Sequence, residues 1–287
     1  MLIRASGISD VGLKREGNED FFSTDDTMGL YIVADGMGGH LAGEVASRIA
    51  VEMINKSLLK WVDEGTPEEE LFGNPDSSLT ARGNYILSSI RLANRVVYEL
   101  ALENEQYHGM GTTAVVLYVS PALVIAANVG DSRIYMLRNG HIERLSKDHT
   151  IVAEQVEMGI MSADEAENSP LRHVLTRNLG SAEHVEPDIF ELEPSENDRY
   201  ILCSDGLTDL VADEEIQALA EEEHEPEKLC HRFVELVIQR GAHDNTTVIS
   251  VYLEDLKKPN EGPMKKVGLL LADTLTGVNK AVRRFKP

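Results

Sequence analysis

Four short apolar runs in this chain each adjoin an aspartate. The aspartates and their runs are Asp35 after 30–34, Asp131 after 123–129, Asp205 after 200–203, and Asp244 before 246–251. Continuous apolar runs of this length are typical of strands buried on both faces. Carboxylates gathered at the ends of such strands repel one another unless cations or protons neutralise them. Oxygen ligands without cysteine or histidine suit Mg²⁺, Mn²⁺ or Ca²⁺, so the pattern predicts a hard divalent metal.

The charge distribution argues against nucleic acid as a partner. The chain carries 27 basic and 49 acidic residues, a formal net charge of −22, whereas a phosphate backbone requires a basic surface. Residues 257–287 differ, because eight Lys or Arg against two acidic residues give them a net charge of +6. The sequence therefore predicts an acidic body, residues 1–256, followed by a basic tail, residues 257–287.

The tail contains apolar residues that fall near one face of a helix between Val267 and Phe285, with Lys and Arg at both ends. Such a basic amphipathic segment favours docking on an anionic membrane surface or on a partner protein. Packing against the acidic body is the alternative. Peripheral attachment of the protein at the inner face of the membrane is therefore one of the two expectations for the tail.

Composition also bears on the compartment. Two cysteines, Cys203 and Cys230, are too few for a disulfide framework, and no charged-then-apolar leader opens the chain. No apolar stretch approaches the roughly 20 residues that span a bilayer. These features predict a cytoplasmic protein that does not cross a membrane.

The order of apolar and amphipathic segments predicts an α+β fold. Helices are expected at 42–61, around 86–100, from an N-cap at Asp213 to Ala220, and at 226–239. Asn139-Gly140 between two apolar runs predicts a tight hairpin. Residues 148–180 have mixed composition and are interpreted as an inserted flap. The other apolar runs are expected to be strands, at 3–12, 20–24, 30–34, 113–119, 123–128, 133–137, 142–145, 189–192, 199–203 and after Asn245.

Five short motifs follow one another in a fixed order. They are residues 15–20 (REGNED), 35–40 (DGMGGH), 130–133 (GDSR), 204–207 (SDGL) and 243–247 (HDNTT). Together they resemble the PPM family of metal-dependent Ser/Thr protein phosphatases, also called type 2C, and most closely its bacterial branch. The resemblance covers nearly everything from Ile3 to Leu253. It implies an antiparallel β-sandwich flanked by helix pairs on both faces (α-β-β-α), with a two-metal centre at one end.

The resemblance also implies a set of metal ligands. Asp35 would bridge two Mn²⁺ or Mg²⁺ ions. Asp205 and Asp244 would complete one of them, and Glu19 with the carbonyl of Gly36 would hold the other. Two such cations can activate a bridging hydroxide and neutralise charge on a phosphoryl group. A glycine suits a ligand that uses its backbone, because without a Cβ the chain can approach the ion closely.

Three further residues take roles from the same resemblance. Arg15 would present its guanidinium fork to two phosphate oxygens, and Asp20 would orient metal-bound water. Asp131, with Asp205, would hold a weaker third metal. For Asp131 an alternative stays open, in which it caps a turn while Arg133 pairs with a neighbouring carboxylate.

The general acid is left unassigned by the sequence. Many eukaryotic relatives have a histidine directly after the Asp-Gly pair, proposed to protonate the leaving oxygen, whereas Met37 stands there in this chain, as in bacterial relatives. A metal-bound water and His40 are the candidates. Neither cysteine has an arginine six positions on, so a cysteine-phosphate mechanism is not supported.

The function implied is hydrolysis of phosphoserine and phosphothreonine on proteins by a metal-bridging hydroxide, reversing a cognate Ser/Thr kinase in signalling. We expect a monomer with a phosphatase domain at 1–256, which includes the flap, and a separate tail at 257–287. The alternative is a catalytically silent phosphoprotein-binding module on the same fold. Because uncompensated carboxylates are costly to keep, a silent module would be expected to have lost one of the four carboxylate ligands, and none is missing.

Overall fold

The computed structural model describes residues 1–39 and 41–256. The strands in this part of the chain are β1 Leu2–Asp10, β2 Asp20–Asp25, β3 Leu30–Met37, β4 Gly111–Thr112, β5 Ala114–Val119, β6 Val124–Val129, β7 Arg133–Arg138, β8 His141–Arg144, β9 Asp188–Leu192, β10 Arg199–Cys203 and β11 Thr246–Glu254. The α-helices are α1 Leu41–Glu64, α2 Ala81–Glu103, α3 Ile151–Glu157, α4 Ala163–Glu167, α5 Asp205–Thr208, α6 Asp213–Glu222 and α7 Pro226–Gln239.

The strands form two antiparallel sheets. The first has the strand order β1-β11-β10-β7-β8, and the second has the order β2-β3-β5-β6-β9, with β4 paired to β3. In the first sheet, β1 pairs with β11 along its whole length, from Leu2 opposite Glu254 to Asp10 opposite Thr246. The α+β class and the antiparallel sandwich with helices on both faces are confirmed.

Three apolar layers hold the sandwich together. The outer face of the second sheet packs on α1 and α2, and the outer face of the first sheet packs on α5, α6 and α7. The middle layer lies between the sheets. The first five residues of β3, 30–34, are all apolar because both faces of the strand are covered: Ile32 and Ala34 face the helices, whereas Tyr31 and Val33 face the other sheet. Both faces of the strand are buried, so its residues do not alternate between apolar and polar.

Local sequence signals account for several boundaries. Asn139 and Gly140 have φ values of 54° and 75°, the left-handed pair that a two-residue hairpin needs, and they join β7 to β8 as predicted. Helix α7 has Pro226 at its start and spans the predicted 226–239. Other boundaries move by a few residues, so that β1 ends at Asp10, β3 continues to Met37 and α1 continues to Glu64.

One predicted cap is wrong. Asp213 is the first residue of α6, and Ala212 occupies the N-cap position. The Asp213 carboxylate instead accepts a hydrogen bond from the Tyr135 hydroxyl (2.7 Å), which ties α6 to the sheet. Glu215 reaches back to the backbone N–H of Ala212 (3.3 Å) and supplies the cap from within the first turn.

The flap, residues 148–180, contains α3 and α4, and two isolated bridges fix its ends, one within the flap and one to the body. Thr150 pairs with Leu175 at its base, and Thr112 pairs with Leu179 where the flap returns to the second sheet. Among the helices described, none is both long and apolar enough to cross a bilayer. The predictions for the basic tail and for His40 lie outside the described residues.

Candidate metal centre

The two sheets deliver carboxylates to the same end of the sandwich. Asp20 and Asp35 lie opposite each other on β2 and β3 of the second sheet. Asp205 follows β10 and Asp244 precedes β11, which are neighbouring strands of the first sheet. The charges of Asp20, Asp205 and Asp244 all act on Asp35, and each raises its pKa. The structure therefore brings these four predicted carboxylates together.

Burial and mutual repulsion make this cluster electrostatically unusual. Burial raises the pKa of Asp20 to about 7 and that of Asp131 to about 8, and raises the pKa of Asp35 well above its ordinary value. Burial also acts to raise the pKa of Asp205, but its interactions with His173 and Asp35 outweigh this effect and lower that pKa. Such a cluster requires protons or cations to neutralise it.

One oxygen of Asp20 bears on whether metal ions fit. Its Oδ2 accepts hydrogen bonds from Ser204 Oγ (2.8 Å) and Thr247 Oγ1 (2.7 Å). Its Oδ1 is buried and has no hydrogen-bond partner among the described residues. Leaving a buried carboxylate oxygen without a donor is costly, so this atom suits a water held by a cation. The atoms that this carboxylate cluster offers to a metal are all oxygen, which hard divalent cations prefer. The residues present therefore fit such ions.

Gly36 lies where the backbone is most crowded. A Cβ at this position would collide with the carbonyl oxygens of Gly43 and Glu19, so only glycine allows α1 to pack this closely against the strand. The N–H of Gly36 donates to the carbonyl of Glu19 (3.2 Å), which also accepts from Ser47 Oγ (2.6 Å). The Glu19 carboxylate lies against Gly43, where a Cβ would meet it. Gly36 and Glu19 therefore share one tightly packed corner.

Arg15 lies beside Asp244. Its Nη2 is 2.7 Å from Asp244 Oδ2, and this hydrogen bond raises the pKa of the guanidinium. The charges of Glu19 and Asp35 act on it in the same direction. Arg15 also lines a surface cavity of about 370 Å³, together with Glu19 and Asn245. The predicted phosphate-binding residue thus lies at the open side of the carboxylate cluster.

Asp131 belongs to a second group of possible ligands. Donor atoms of Asp131, His173 and Asp205 all lie within 4.8 Å of one another. The ring nitrogen Nδ1 of His173 is 3.7 Å from Asp205 Oδ2, and the interaction with Asp205 raises the pKa of His173. Arg133 pairs with Asp148 (2.7 Å). This pairing was part of the alternative prediction, in which Asp131 caps a turn and Arg133 pairs with a neighbouring carboxylate. His173 lies within the predicted flap but was not among the predicted ligands.

Several polar residues that support the site were also missed. They are small hydroxyl or amide side chains next to apolar strands: Thr113 Oγ1 accepts from the N–H of Asp35 (2.9 Å), Ser204 and Thr247 hold Asp20, and Asn245 Oδ1 accepts from the N–H of Glu19 (2.8 Å). The Asn245 amide also donates to the carbonyls of Val11 and Gly17 (3.0 Å each). For Ser204, Asn245 and Thr247 the available signal was their place within two of the aspartate motifs, whereas Thr113 lies in no motif.

Comparison with known proteins agrees with the geometry. The family model for protein phosphatase 2C matches residues 6–246. The serine/threonine phosphatase Stp of Listeria welshimeri is 33% identical over 246 residues, which cover 85% of this chain and 93% of the relative. The serine/threonine protein phosphatase PstP of Mycobacterium tuberculosis is 36% identical over 250 residues, which cover 87% of this chain and 45% of that larger protein.

Solved structures show the same fold. The crystal structure of the Mycobacterium tuberculosis phosphatase PstP/Ppp has a TM-score of 0.75 and 33% identity, and the match covers 88% of this chain and all of that one. The catalytic domain of PstP in complex with two manganese ions has a TM-score of 0.73 and 32% identity, covering 88% and 99%. The family resemblance is confirmed: this chain belongs to the protein phosphatase 2C family.

Proposed function

We propose that this protein hydrolyses phosphoserine and phosphothreonine esters on other proteins. The observation that carries the proposal is the meeting of Asp20, Asp35, Asp205 and Asp244 from two sheets at one end of the sandwich. Membership of the phosphatase family and relatives described as serine/threonine phosphatases support it. A silent phosphoprotein-binding module is less well supported, because it would have no use for this costly cluster.

In the proposed site, Asp35, Asp205, Asp244, Glu19 and the carbonyl of Gly36 would hold two Mn²⁺ or Mg²⁺ ions. Such a pair lowers the pKa of water and neutralises charge on the phosphoryl group. A related catalytic domain described in complex with two manganese ions supports the choice of metal. Asp131, His173 and Asp205 would bind a third ion.

The side chains divide the remaining work. Arg15 would bind two phosphate oxygens through its guanidinium fork and so orient the ester beside the carboxylates. Asp20, fixed by Ser204 and Thr247, would accept a hydrogen bond from the attacking water and align it with the phosphorus. Met37 has no proton to give, and its sulfur lies 3.7 Å from the Asn178 amide of the flap. The proton for the leaving oxygen would come from water or from His40.

The test is phosphate release from a phosphothreonine peptide by the purified protein, with Mn²⁺ or with EDTA. We expect turnover only with Mn²⁺, and a loss on the order of 10³-fold in Asp205→Asn, since several kcal/mol of transition-state stabilisation depend on the ions. Exposed Asp164→Asn in α4 serves as the control and should behave as wild type. Peptide binding without turnover, at any Mn²⁺ concentration, would instead favour the silent module.

The partners proposed are phosphorylated proteins and the kinase that phosphorylates them, and we propose that the protein acts as a monomer. The basic tail, residues 257–287, would attach it to an anionic membrane surface or to a partner protein. Its charge of +6 after an acidic body supports this. Deletion of the tail should then abolish co-sedimentation with anionic liposomes; binding that survives the deletion would exclude the membrane version.

A further inference from the structure

His149 is a buried residue at the base of the flap, with its side chain 1% exposed. Its ring nitrogen Nδ1 accepts a hydrogen bond from the N–H of Gly130 (3.1 Å). Its own backbone N–H donates to the carbonyl of Gly130 (3.0 Å). One residue thus binds both polar backbone groups of Gly130, which directly precedes Asp131.

The backbone conformation and close packing of Gly130 restrict its position beside His149. Its φ is +103°, which side-chain-bearing residues rarely adopt, and a Cβ there would press on Thr113. Asn128, two residues earlier, donates its amide to the carbonyl of Lys147 (2.7 Å). The turn that carries Asp131 is therefore held against residues 147–149 at two points.

The same residue also binds the returning end of the flap. The carbonyl of His149 accepts from the N–H of Thr176 (2.8 Å), beside the bridge between Thr150 and Leu175. Thr176 is three residues after His173, whose ring lies near Asp205. His149 thus connects the turn that carries Asp131 to the segment that carries His173.

The His149 ring can accept the hydrogen bond from Gly130 only as the neutral tautomer that carries its proton on Nε2. Because Nδ1 accepts a hydrogen bond, the ring proton must be on Nε2. Nε2 lies 3.5 Å from Asp188 Oδ2, a long contact for a hydrogen bond. Burial and the nearby charge of Arg177 lower the pKa of His149, which keeps the ring neutral. A neutral ring retains the Nδ1 lone pair that Gly130 requires.

We propose that His149 is a positioning residue that holds the Asp131 turn and the flap in one arrangement, so that Asp131, His173 and Asp205 can bind a single divalent cation. The inference rests on the proposed role of Asp131 as a metal ligand. The hydrogen bonds of His149 go to Gly130 and Thr176 and not to Asp35 or Asp244, so the two-metal pair should depend on it much less.

Mn²⁺ binding to the intact chain tests this, with calorimetric titration and electron paramagnetic resonance of free Mn²⁺ as readouts. In His149→Leu we expect the weakest of three sites to lose 10- to 100-fold in affinity, the range for residues that orient ligands, while the two tighter sites keep theirs. His149→Asn places an amide oxygen near the position of Nδ1 and should rescue binding. His149→Gln places its amide near the position of Nε2 instead and should not.

The Asn and Gln variants decide the outcome even if His149→Leu fails to fold. Equal affinity of the weakest site in both would overturn the proposal, as would a wild-type protein that binds only two Mn²⁺ ions. Phosphate release from a phosphothreonine peptide is measured in the same samples. A wild-type protein that shows three sites with the expected Asn–Gln difference, yet no turnover, would refute the proposed function and leave the role of His149 intact.

Discussion

Replacement of Asp35 by asparagine is expected to abolish turnover and, at the same time, to stabilise the metal-free protein. Asp35 is proposed to bridge both ions, so its loss should lower phosphate release on the order of 10³-fold or more. Burial and the surrounding carboxylates raise its pKa, so its ionised form costs the metal-free fold free energy. A neutral amide of the same shape removes that cost, and the melting temperature in EDTA at pH 8 should rise.

Asp198 provides a matched control with the opposite behaviour. It is also a buried aspartate beside a strand, but it precedes β10, whereas Asp205 follows it, so roughly 20 Å of strand separates the two. Its carboxylate accepts from Arg138 Nε and Nη2 (2.7 Å each) and from the Tyr200 hydroxyl (2.9 Å). Asp198→Asn should therefore cost about 2 kcal/mol of unfolding free energy and leave Mn²⁺-dependent turnover unchanged.

Thermal unfolding in EDTA and phosphate release in Mn²⁺ are measured on both variants. Asp35→Asn should lose turnover and gain stability, whereas Asp198→Asn should keep turnover and lose stability. A general effect of removing a buried charge would change both variants in the same way. Retention of turnover in Asp35→Asn would contradict the bridging role. A fall in its melting temperature would show that Asp35 stabilises the fold by itself.

The metal-free protein is expected to lose stability as the pH rises, and Mn²⁺ should reverse this trend. The pKa values of about 7 for Asp20 and about 8 for Asp131 in the folded protein exceed their ordinary value of 3.8. A raised folded-state pKa contributes stability that is complete below the unfolded value and disappears as the pH rises through the folded value. Stability without metal should therefore fall between about pH 4 and pH 8.

Cations compete with these protons, so the stabilisation by Mn²⁺ should grow over the same pH range. At 100 times its dissociation constant, one bound ion contributes about 2.7 kcal/mol. Melting temperatures at pH 5 and pH 8.5, in EDTA and in Mn²⁺, measure both effects. Asp20→Asn should flatten the trend in EDTA. Metal-free protein that is as stable at pH 8.5 as at pH 5 would show that the cluster does not retain these protons.

The sequence was most informative where chemistry and periodicity are local. An aspartate that follows an apolar run can be recognised without knowing the fold, and the strand ends before Asp131 and Asp205 were predicted in this way, whereas β3 continues past Asp35 to Met37. Helix α7 was predicted over its full length because Pro226 marks its start and the apolar residues keep a helical spacing. These features depend only on residues a few positions apart.

Features that depend on pairing between distant strands were missed. Ser204 and Thr247 hold Asp20 only because β10 and β11 are neighbours, and as isolated residues they resemble ordinary turn and strand residues. The two bonds from His149 to Gly130 likewise join residues on either side of a β-hairpin. The Asp213 cap was wrong because three acidic residues fill the first turn of α6, and only the backbone geometry shows that the helix begins at Asp213 and that Glu215 supplies the cap.

The pairing of β1 with β11 has a consequence for how the protein is made. The Asn245 side chain binds the N–H of Glu19, 226 residues earlier, and so fixes the loop that carries Arg15. During synthesis from the N-terminus, that loop waits for its partner until nearly the whole domain has left the ribosome. A nascent chain that ends before Asp244 lacks that carboxylate and the Asn245 amide, so its site is not closed. Incomplete chains should therefore have no phosphatase activity.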